Sequence, residues 1–193
     1  MPTTRPRNAA ATRAAILASA RAAFARSGYD GAGVREIAAG AGVTAILVNR
    51  YFGSKERLFA EVIAEAMTTP TILANEVLGS ADPAAAMASA LVDITAPGAT
   101  PLDGFRIMLY SASSERAAEI GRVQLQDHYH RTLTAELPGP DAPQRAALVL
   151  ALVAGVQIMR QMIALAALAE VDPAELKRLL TPVFRHLLGG VKG

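Results

Sequence analysis

The chain has 193 residues, of which 52% are apolar and 19% charged, so wholesale disorder is excluded and one or two compact domains are expected. It contains 41 alanines and no cysteine, which excludes disulfides, thiolate metal sites and cysteine nucleophiles. The net charge of +2 is unevenly distributed: residues 1–60 carry nine basic and three acidic side chains, whereas residues 61–193 carry ten basic and fourteen acidic ones. A basic N-terminal segment favours a polyanion as its partner.

Residues that typically start or stop helices predict the helices of the N-terminal part of the chain. Gly28 is placed to end a first helix as a left-handed cap, and Gly42 separates two short helices. We call residues 9–67 the head, and we expect residues 1–8 to form a flexible arm before it. Within the head, helices are predicted over residues 8–27, 34–41, 44–51 and 54–67.

Residues 68–193 are predicted to form a larger C-terminal helical domain. Asp141 with Gln144 three residues later is typical of a capping box, and Pro182 is expected to kink the last helix. No segment of useful length alternates with a period of two, so the fold class is predicted to be all-α. The predicted helices of this domain cover residues 72–78, 83–96, 101–111, 115–137, 142–169 and 173–188.

The segment from Val34 to Phe52 is predicted to be a helix-turn-helix, because Ala38 is small and Gly42 lies in the short turn that the motif requires. The second helix presents side chains suited to a major groove: arginine for guanine, asparagine for adenine, and apolar groups for the thymine methyl. Basic side chains on either side of it can reach phosphate. The predicted DNA-binding residues are Arg35, Thr44, Ala45, Ile46, Asn49, Arg50, Tyr51 and Lys55.

Several motifs of the head resemble the DNA-binding domain of the tetracycline-repressor (TetR) family of transcription regulators. The combination covers residues 9–67 and is highly specific. The resemblance implies an all-α homodimer that binds palindromic operator DNA, with a larger C-terminal domain for dimerisation and effector binding. The matching motifs are Ile16-Leu17 through Phe24, Ser27-Gly28-Tyr29, Ile37-Ala38-Ala39-Gly40-Ala41-Gly42-Val43-Thr44, and Tyr51-Phe52-Gly53-Ser54-Lys55-Glu56 with Leu58-Phe59.

The head also departs from the family pattern at a few positions. Gly33 stands where the family usually caps the second helix with serine or threonine, and Asn49 stands where it usually has tyrosine. Ala45 and Ile46 make the start of the recognition helix less polar than in many members. These departures bear on which operator sequence is recognised rather than on DNA binding itself.

The two long apolar helices near the C-terminus are predicted to form the dimer interface. Two such helices from each of two subunits would build a four-helix bundle with an apolar seam, whereas core packing within a monomer is the alternative. A dimer also suits a palindrome, since it places two recognition helices one turn of DNA apart. The predicted interface residues are Leu148, Leu152, Val156, Met159, Ile163, Leu176, Leu180, Val183, Phe184 and Leu187.

Helices between residues 72 and 137 are expected to surround any effector pocket. A methionine-rich apolar cavity with a few amides and one imidazole suits a hydrophobic or cationic small molecule, and plain core packing is the alternative. The candidate lining residues are Met87, Leu91, Phe105, Met108, Tyr110, Gln124, His128, Gln157 and Met162.

Other functional classes find little support in the sequence. The apolar stretch 146–169 has Gln157, Arg160 and Gln161 near its middle, which favours a buried helix over a membrane span. No cofactor or metal is predicted, because Asp127-His128-Tyr129-His130 lacks a further ligand and no phosphate-binding glycine loop occurs. The sequence therefore predicts a cytoplasmic homodimeric repressor, not an enzyme, that a small molecule releases from its operator. The alternative is a helical small-molecule-binding or enzymatic protein whose basic head is structural only.

Overall fold

The structure is a computed structural model that describes residues 5–67, 72–96 and 103–189. Those residues form helices and connecting turns without a strand, which confirms the all-α prediction. The helices are α1 (Arg5–Gly31), α2 (Val34–Gly40), α3 (Ala45–Phe52), α4 (Lys55–Met67), α5 (Asn75–Leu78), α6 (Pro83–Ile94), α7 (Asp103–Ser111), α8 (Glu115–Leu125), α9 (Arg131–Glu136), α10 (Ala142–Gln157), α11 (Ala166–Ala169) and α12 (Pro173–Gly189).

The described residues fall into two compact units. The first unit holds α1 to α4 together with α7 and α8 as far as Gln124, and the second unit holds α5, α6 and the chain from Leu125 onward. Large buried side chains of the first unit include Ile16, Phe24, Ile37, Leu58, Phe59 and Ile107. Those of the second unit include Met87, Leu91, Leu133, Val149, Leu176 and Phe184.

The helix ends of the head lie close to their predicted positions. α1 begins at Arg5 rather than Asn8, and its helical geometry breaks at Gly28, whose φ of 66° lies in the left-handed region that favours glycine. Thr44 caps α3, since its hydroxyl oxygen accepts a hydrogen bond from the Leu47 amide at 3.3 Å. The head is predicted to end where Thr68-Thr69-Pro70 interrupts the helical pattern, and these three residues lie outside the described ones.

The predicted helix over residues 142–169 is wrong at its C-terminal end. α10 ends at Gln157, a π-helical turn covers Ile158–Met162, and Ala164 has a φ of 53° before the short helix α11. The break coincides with a long-range contact, because the buried Arg160 side chain on this turn donates to the carbonyl oxygens of Val92 on α6 and Leu168 on α11. An apolar pattern cannot foresee such a contact.

Three other predictions for the C-terminal helices also need correction. The Asp141–Gln144 capping box does not form, because the Asp141 carboxylate pairs with Arg145 at 3.2 Å instead. The single helix predicted over 115–137 contains a π-helical turn at Gln126–His130, and the helix predicted over 72–78 is reduced to α5. The helix over 83–96 is predicted to stop at Pro97-Gly98, and the helix over 101–111 is predicted to start at Thr100-Pro101. These residues lie outside the described ones.

One helical segment, Ala142–Met162, is long and apolar enough to cross a membrane, with a mean hydropathy of 1.4. It contains two arginines, Arg145 and Arg160, which are buried and bound to protein carbonyl oxygens. A single weakly apolar helix of this kind does not indicate a membrane protein.

Candidate nucleic-acid interface

The helix-turn-helix packs closely against α1. The Ser19 hydroxyl of α1 donates to the Ile37 carbonyl of α2 at 2.8 Å, and a Cβ atom at Gly40 would lie only 2.4 Å from the Ser19 oxygen. Between α2 and α3, Gly42 adopts a φ of 67° and the Val43 amide donates to the Ala38 carbonyl at 2.9 Å. This packing fixes the direction in which α3 projects its outer face.

α3 divides into a buried side and an exposed side. Val48 and Phe52 are buried in the head, whereas Asn49 and Arg50 are exposed. Ile46 is 81% exposed, more than any other large apolar side chain among the described residues. Of the other predicted contacts on this helix, Thr44 is exposed, and Ala45 and Tyr51 are half-buried.

The basic residues of the head form two groups. In one group, carboxylates neutralise the arginines. These pairs are Arg13 with Glu61, Arg21 with Asp103, and Arg26 with Glu36. The other group forms no ion pair with any residue that the structure describes, and it consists of Arg35, Arg50, Lys55 and Arg57. Three of these four cations are predicted DNA-binding residues, whereas Arg57 on α4 was not predicted.

Lys55, the first residue of α4, is held in place by an aromatic ring. Its ammonium nitrogen lies 4.5 Å from the centre of the Tyr29 ring, within cation–π range. Burial, together with a hydrogen bond to Glu56, raises the pKa of Tyr29 to about 12, so the ring stays neutral at physiological pH. The contact preorganises the ammonium at the N-terminal end of a helix, where a phosphate oxygen is favoured.

The departure at Gly33 is compensated within α2. The Gly33 amide donates to the Glu36 carboxylate at 3.5 Å, so the side chain three residues along reaches back to the helix start. The ion pair with Arg26, followed by this amide contact, lowers the pKa of Glu36. The start of the helix-turn-helix is therefore held without a capping hydroxyl.

Sequence reasoning missed the support that α7 and α8 give to the head. The Tyr29 amide donates to the Ser111 hydroxyl at 2.9 Å, and the Ser114 hydroxyl donates to the Asp30 carboxylate at 3.2 Å. A Cβ atom at Gly28 would lie 2.4 Å from the Tyr110 carbonyl oxygen. The sequence predicted Gly28 only as a helix cap, because the residues that approach this corner lie more than 80 residues away along the chain.

Comparisons with known proteins agree with this geometry. Residues 16–62 match the family described as "Bacterial regulatory proteins, tetR family", and residues 83–188 match "Tetracyclin repressor-like, C-terminal domain". The chain is 30% identical over 175 residues to the HTH-type transcriptional repressor SCO4008 of Streptomyces coelicolor, covering 90% of this chain and 85% of that protein. The chain belongs to the TetR family.

Solved structures of similar fold extend over almost the whole chain. A TetR-family regulator of Streptomyces coelicolor, SCO0857, is 25% identical with a TM-score of 0.59, covering 97% of this chain and 99% of that one. NalD, the secondary repressor of the MexAB-OprM multidrug efflux pump in Pseudomonas aeruginosa, shares the fold at 22% identity, with a TM-score of 0.63 and coverage of 94% and 97%.

Membership in the TetR family settles the functional class. TetR-family regulators are transcription factors rather than enzymes, bind operator DNA and act as dimers. The chain is therefore a sequence-specific DNA-binding transcriptional regulator. This result supports the DNA-binding regulator over the alternative, a helical small-molecule-binding or enzymatic protein whose basic head is structural only.

The predicted interface residues differ in how deeply their side chains are buried in the second unit. Val156, Leu176, Leu180 and Phe184 face this unit's own core, so their side chains are not available to a partner. Leu148, Met159, Ile163 and Val183 are exposed, as is Leu179, which was not predicted. Leu152 and Leu187 are half-buried. The four buried residues follow the same helical spacing, which is why the sequence did not separate them from the exposed ones.

The predicted effector-pocket residues are divided between the two units. Phe105, Met108, Tyr110 and Gln124 belong to the first unit, and Met87, Leu91, His128, Gln157 and Met162 to the second. Met87 and Leu91 are fully buried core residues, and His128 is exposed. Tyr110 is 43% exposed, and the Arg106 guanidinium carbon lies 5.6 Å from the centre of its ring.

Proposed function

We propose that α3 enters the major groove of operator DNA and reads bases with its exposed side chains. Arg50 can donate two hydrogen bonds to guanine, and Asn49 can pair with adenine through its amide. Ile46 is suited to the thymine methyl, the apolar feature that the major groove offers. The observation that carries this proposal is that Arg35, Arg50 and Lys55 have no ion partner among the described residues, while the outer side of α3 is exposed.

Phosphate contacts would flank this base-reading face. Arg35 on α2 and Lys55 on α4 carry free charges at either side of α3, and Tyr51 and Thr44 add hydroxyl groups at its two ends. Contacts of this kind set the register of the protein on DNA without reading sequence.

Dimerisation is proposed to use the exposed apolar side chains of α10 and α12. Leu148 is 54% exposed, and Met159, Leu179 and Val183 are exposed on the same two helices or directly after α10. Leu152, on the same helix as Leu148, is half-buried. Charge is scarce among these side chains, as expected for the centre of a stable interface. The arrangement supports a four-helix interface between two copies of the chain.

Regulation is proposed to be repression in the cytoplasm, relieved by a small-molecule effector with a hydrophobic body. The effector would bind the C-terminal domain and favour a dimer conformation in which the two recognition helices are wrongly spaced. Such a ligand shifts the equilibrium only through its different affinities for the two states.

Selection of bound sites from random duplex DNA tests this function, with purified protein at about 150 mM salt, near physiological ionic strength. A palindromic motif with half-sites about one helical turn apart is the expected result, since two α3 helices would read successive major grooves. Selection of a motif without two-fold symmetry would contradict the proposal that a dimer reads the operator. The absence of any enriched motif would contradict the proposal that the exposed side of α3 reads bases.

A further inference from the structure

Irregular features cluster where α10 ends. The π-helical turn Ile158–Met162 interrupts the helix, and such turns occur frequently at functional sites. Ala164 then adopts a φ of 53°, a left-handed conformation that is strained for a residue with a Cβ atom. The side chains of Arg160 and Gln161 on this turn reach the C-terminal end of α6.

Arg160 is a buried charge held only by neutral groups. It is 6% exposed and donates to the carbonyl oxygens of Val92 and Leu168 and to the Thr95 hydroxyl. Its Nη2 atom donates to no residue within the described ranges, and no described carboxylate pairs with it. Burial lowers the pKa of this guanidinium, because desolvation opposes its charge.

Arg145 offers a contrast on the same helical segment. It is equally buried, at 6% exposed, and it also binds main-chain oxygens, at Leu187 and Leu188. Unlike Arg160, it pairs with a carboxylate, Asp141, at 3.2 Å. Buried charges in proteins are ordinarily paired, so the difference marks Arg160 as a cation that lacks its anion.

A second unsatisfied group is carried by the next residue. The Oε1 atom of Gln161 is buried without a hydrogen-bond partner, while the Nε2 atom of the same amide donates to the Ile94 carbonyl at 3.3 Å. Both side chains reach the C-terminal end of α6, so Arg160 offers one donor to an anion and Gln161 offers one acceptor to a hydrogen-bond donor.

We propose that Arg160 and Gln161 form the polar end of an effector site that takes the carboxylate of a small organic acid with a hydrophobic body. The carboxylate binds Arg160 through Nη2, and a donor group on the ligand reaches Gln161 Oε1. Gln157 and Met162, which flank the two residues in sequence, are also candidate effector contacts. The inference rests on the effector regulation proposed above and replaces a cationic effector with an anionic one.

The test measures binding to the DNA-free full-length protein by isothermal titration and ligand-observed NMR. The probes are acetate, benzoate and hexanoate at millimolar concentrations, each paired with its neutral amide and a chloride control of equal ionic strength. Saturable binding of at least one acid, with its amide at least about tenfold weaker, is expected, because the amide cannot form the charge-assisted hydrogen bond. If every acid binds no better than its amide, or none binds, the proposal is wrong.

Matched variants separate recognition from folding. Arg160→Gln should abolish the preference for the acid, whereas Arg145→Gln, a change of the same kind at an equally buried arginine, should leave it intact. Gln161→Met keeps every Arg160 contact and should weaken the acid severalfold, so the proposal remains testable if Arg160→Gln fails to fold. Retention of full acid binding by Gln161→Met or a folded Arg160→Gln protein would overturn the assignment.

Operator binding is measured separately by fluorescence anisotropy, so the two proposals can fail independently. Loss of operator affinity in the presence of the bound acid is expected if the site is regulatory. An acid that binds through Arg160 without releasing DNA would support the binding site but contradict effector regulation. Release by neutral molecules alone would support effector regulation and contradict the role of Arg160.

Discussion

The two units of the molecule use their basic residues in opposite ways. In the first unit, Arg35 and Arg50 lie exposed on the helix-turn-helix, and with Lys55 they have no ion partner among the described residues. In the second unit, Arg145 and Arg160 are buried and bind carbonyl oxygens at helix ends. An unpaired cation at the surface can bind an external polyanion, whereas a buried cation donates hydrogen bonds to carbonyl oxygens of its own chain and so stabilises the fold.

The largest expected effect is on stability, at Arg145. Arg145→Ala should lower the free energy of unfolding by about 3 kcal/mol, because the carbonyl oxygens of Leu187, Leu188 and Pro138 lose a donor that is itself buried. Denaturant unfolding measures this change. Arg178→Ala, which breaks an exposed pair with Glu175, should change it by less than about 0.5 kcal/mol. Equal effects of the two substitutions would contradict the contrast between buried and exposed arginines.

The next effect is on DNA specificity, at Arg50. Arg50→Ala should cost about 1–3 kcal/mol of discrimination at one base position while leaving unfolding nearly unchanged. Competition binding with single-base operator variants checks this prediction. Arg116→Gln, at an arginine already paired with Glu119, serves as the control and should leave the preferred site as it was. An unchanged preference in Arg50→Ala would place the recognition face elsewhere.

A smaller effect is expected where α3 begins. Thr44→Ala should cost about 1 kcal/mol of stability, because the Leu47 amide loses its hydroxyl acceptor. Thermal unfolding of the DNA-free protein measures it. Thr44→Ser keeps the acceptor and should restore most of the stability. If the alanine variant is as stable as the parent, the cap contributes nothing.

The smallest effect concerns Ile46 and the thymine methyl. Replacing one thymine of the selected operator by deoxyuridine removes only a methyl group and should weaken binding by about 0.8 kcal/mol. Ile46→Ala should make the protein indifferent to this change at the same position. A methyl effect of equal size in both proteins would show that another residue contacts the thymine.

How much could be predicted from sequence differed between these regions. The ends of α2, α3 and α4 follow from local signals, such as Gly42 in its left-handed turn and the Thr44 hydroxyl, so their positions were nearly correct. Just after the end of α10, Arg160 reaches Val92, which lies 68 residues away, and no local pattern encodes that contact. At the candidate site, residue types indicated which cations could bind DNA, but only the folded structure separates Arg50 from the paired Arg26.

The salt dependence of operator affinity tests the central claim most directly. Removing one phosphate-binding cation should reduce the slope of log K against log salt by about one, so Lys55→Gln and Arg35→Gln should each reduce it by about two per dimer. The double substitution Arg13→Gln with Glu61→Gln removes a neutralised pair and should leave the slope unchanged. Equal slopes for all of these proteins would contradict the claim that the unpaired cations are the ones that bind DNA.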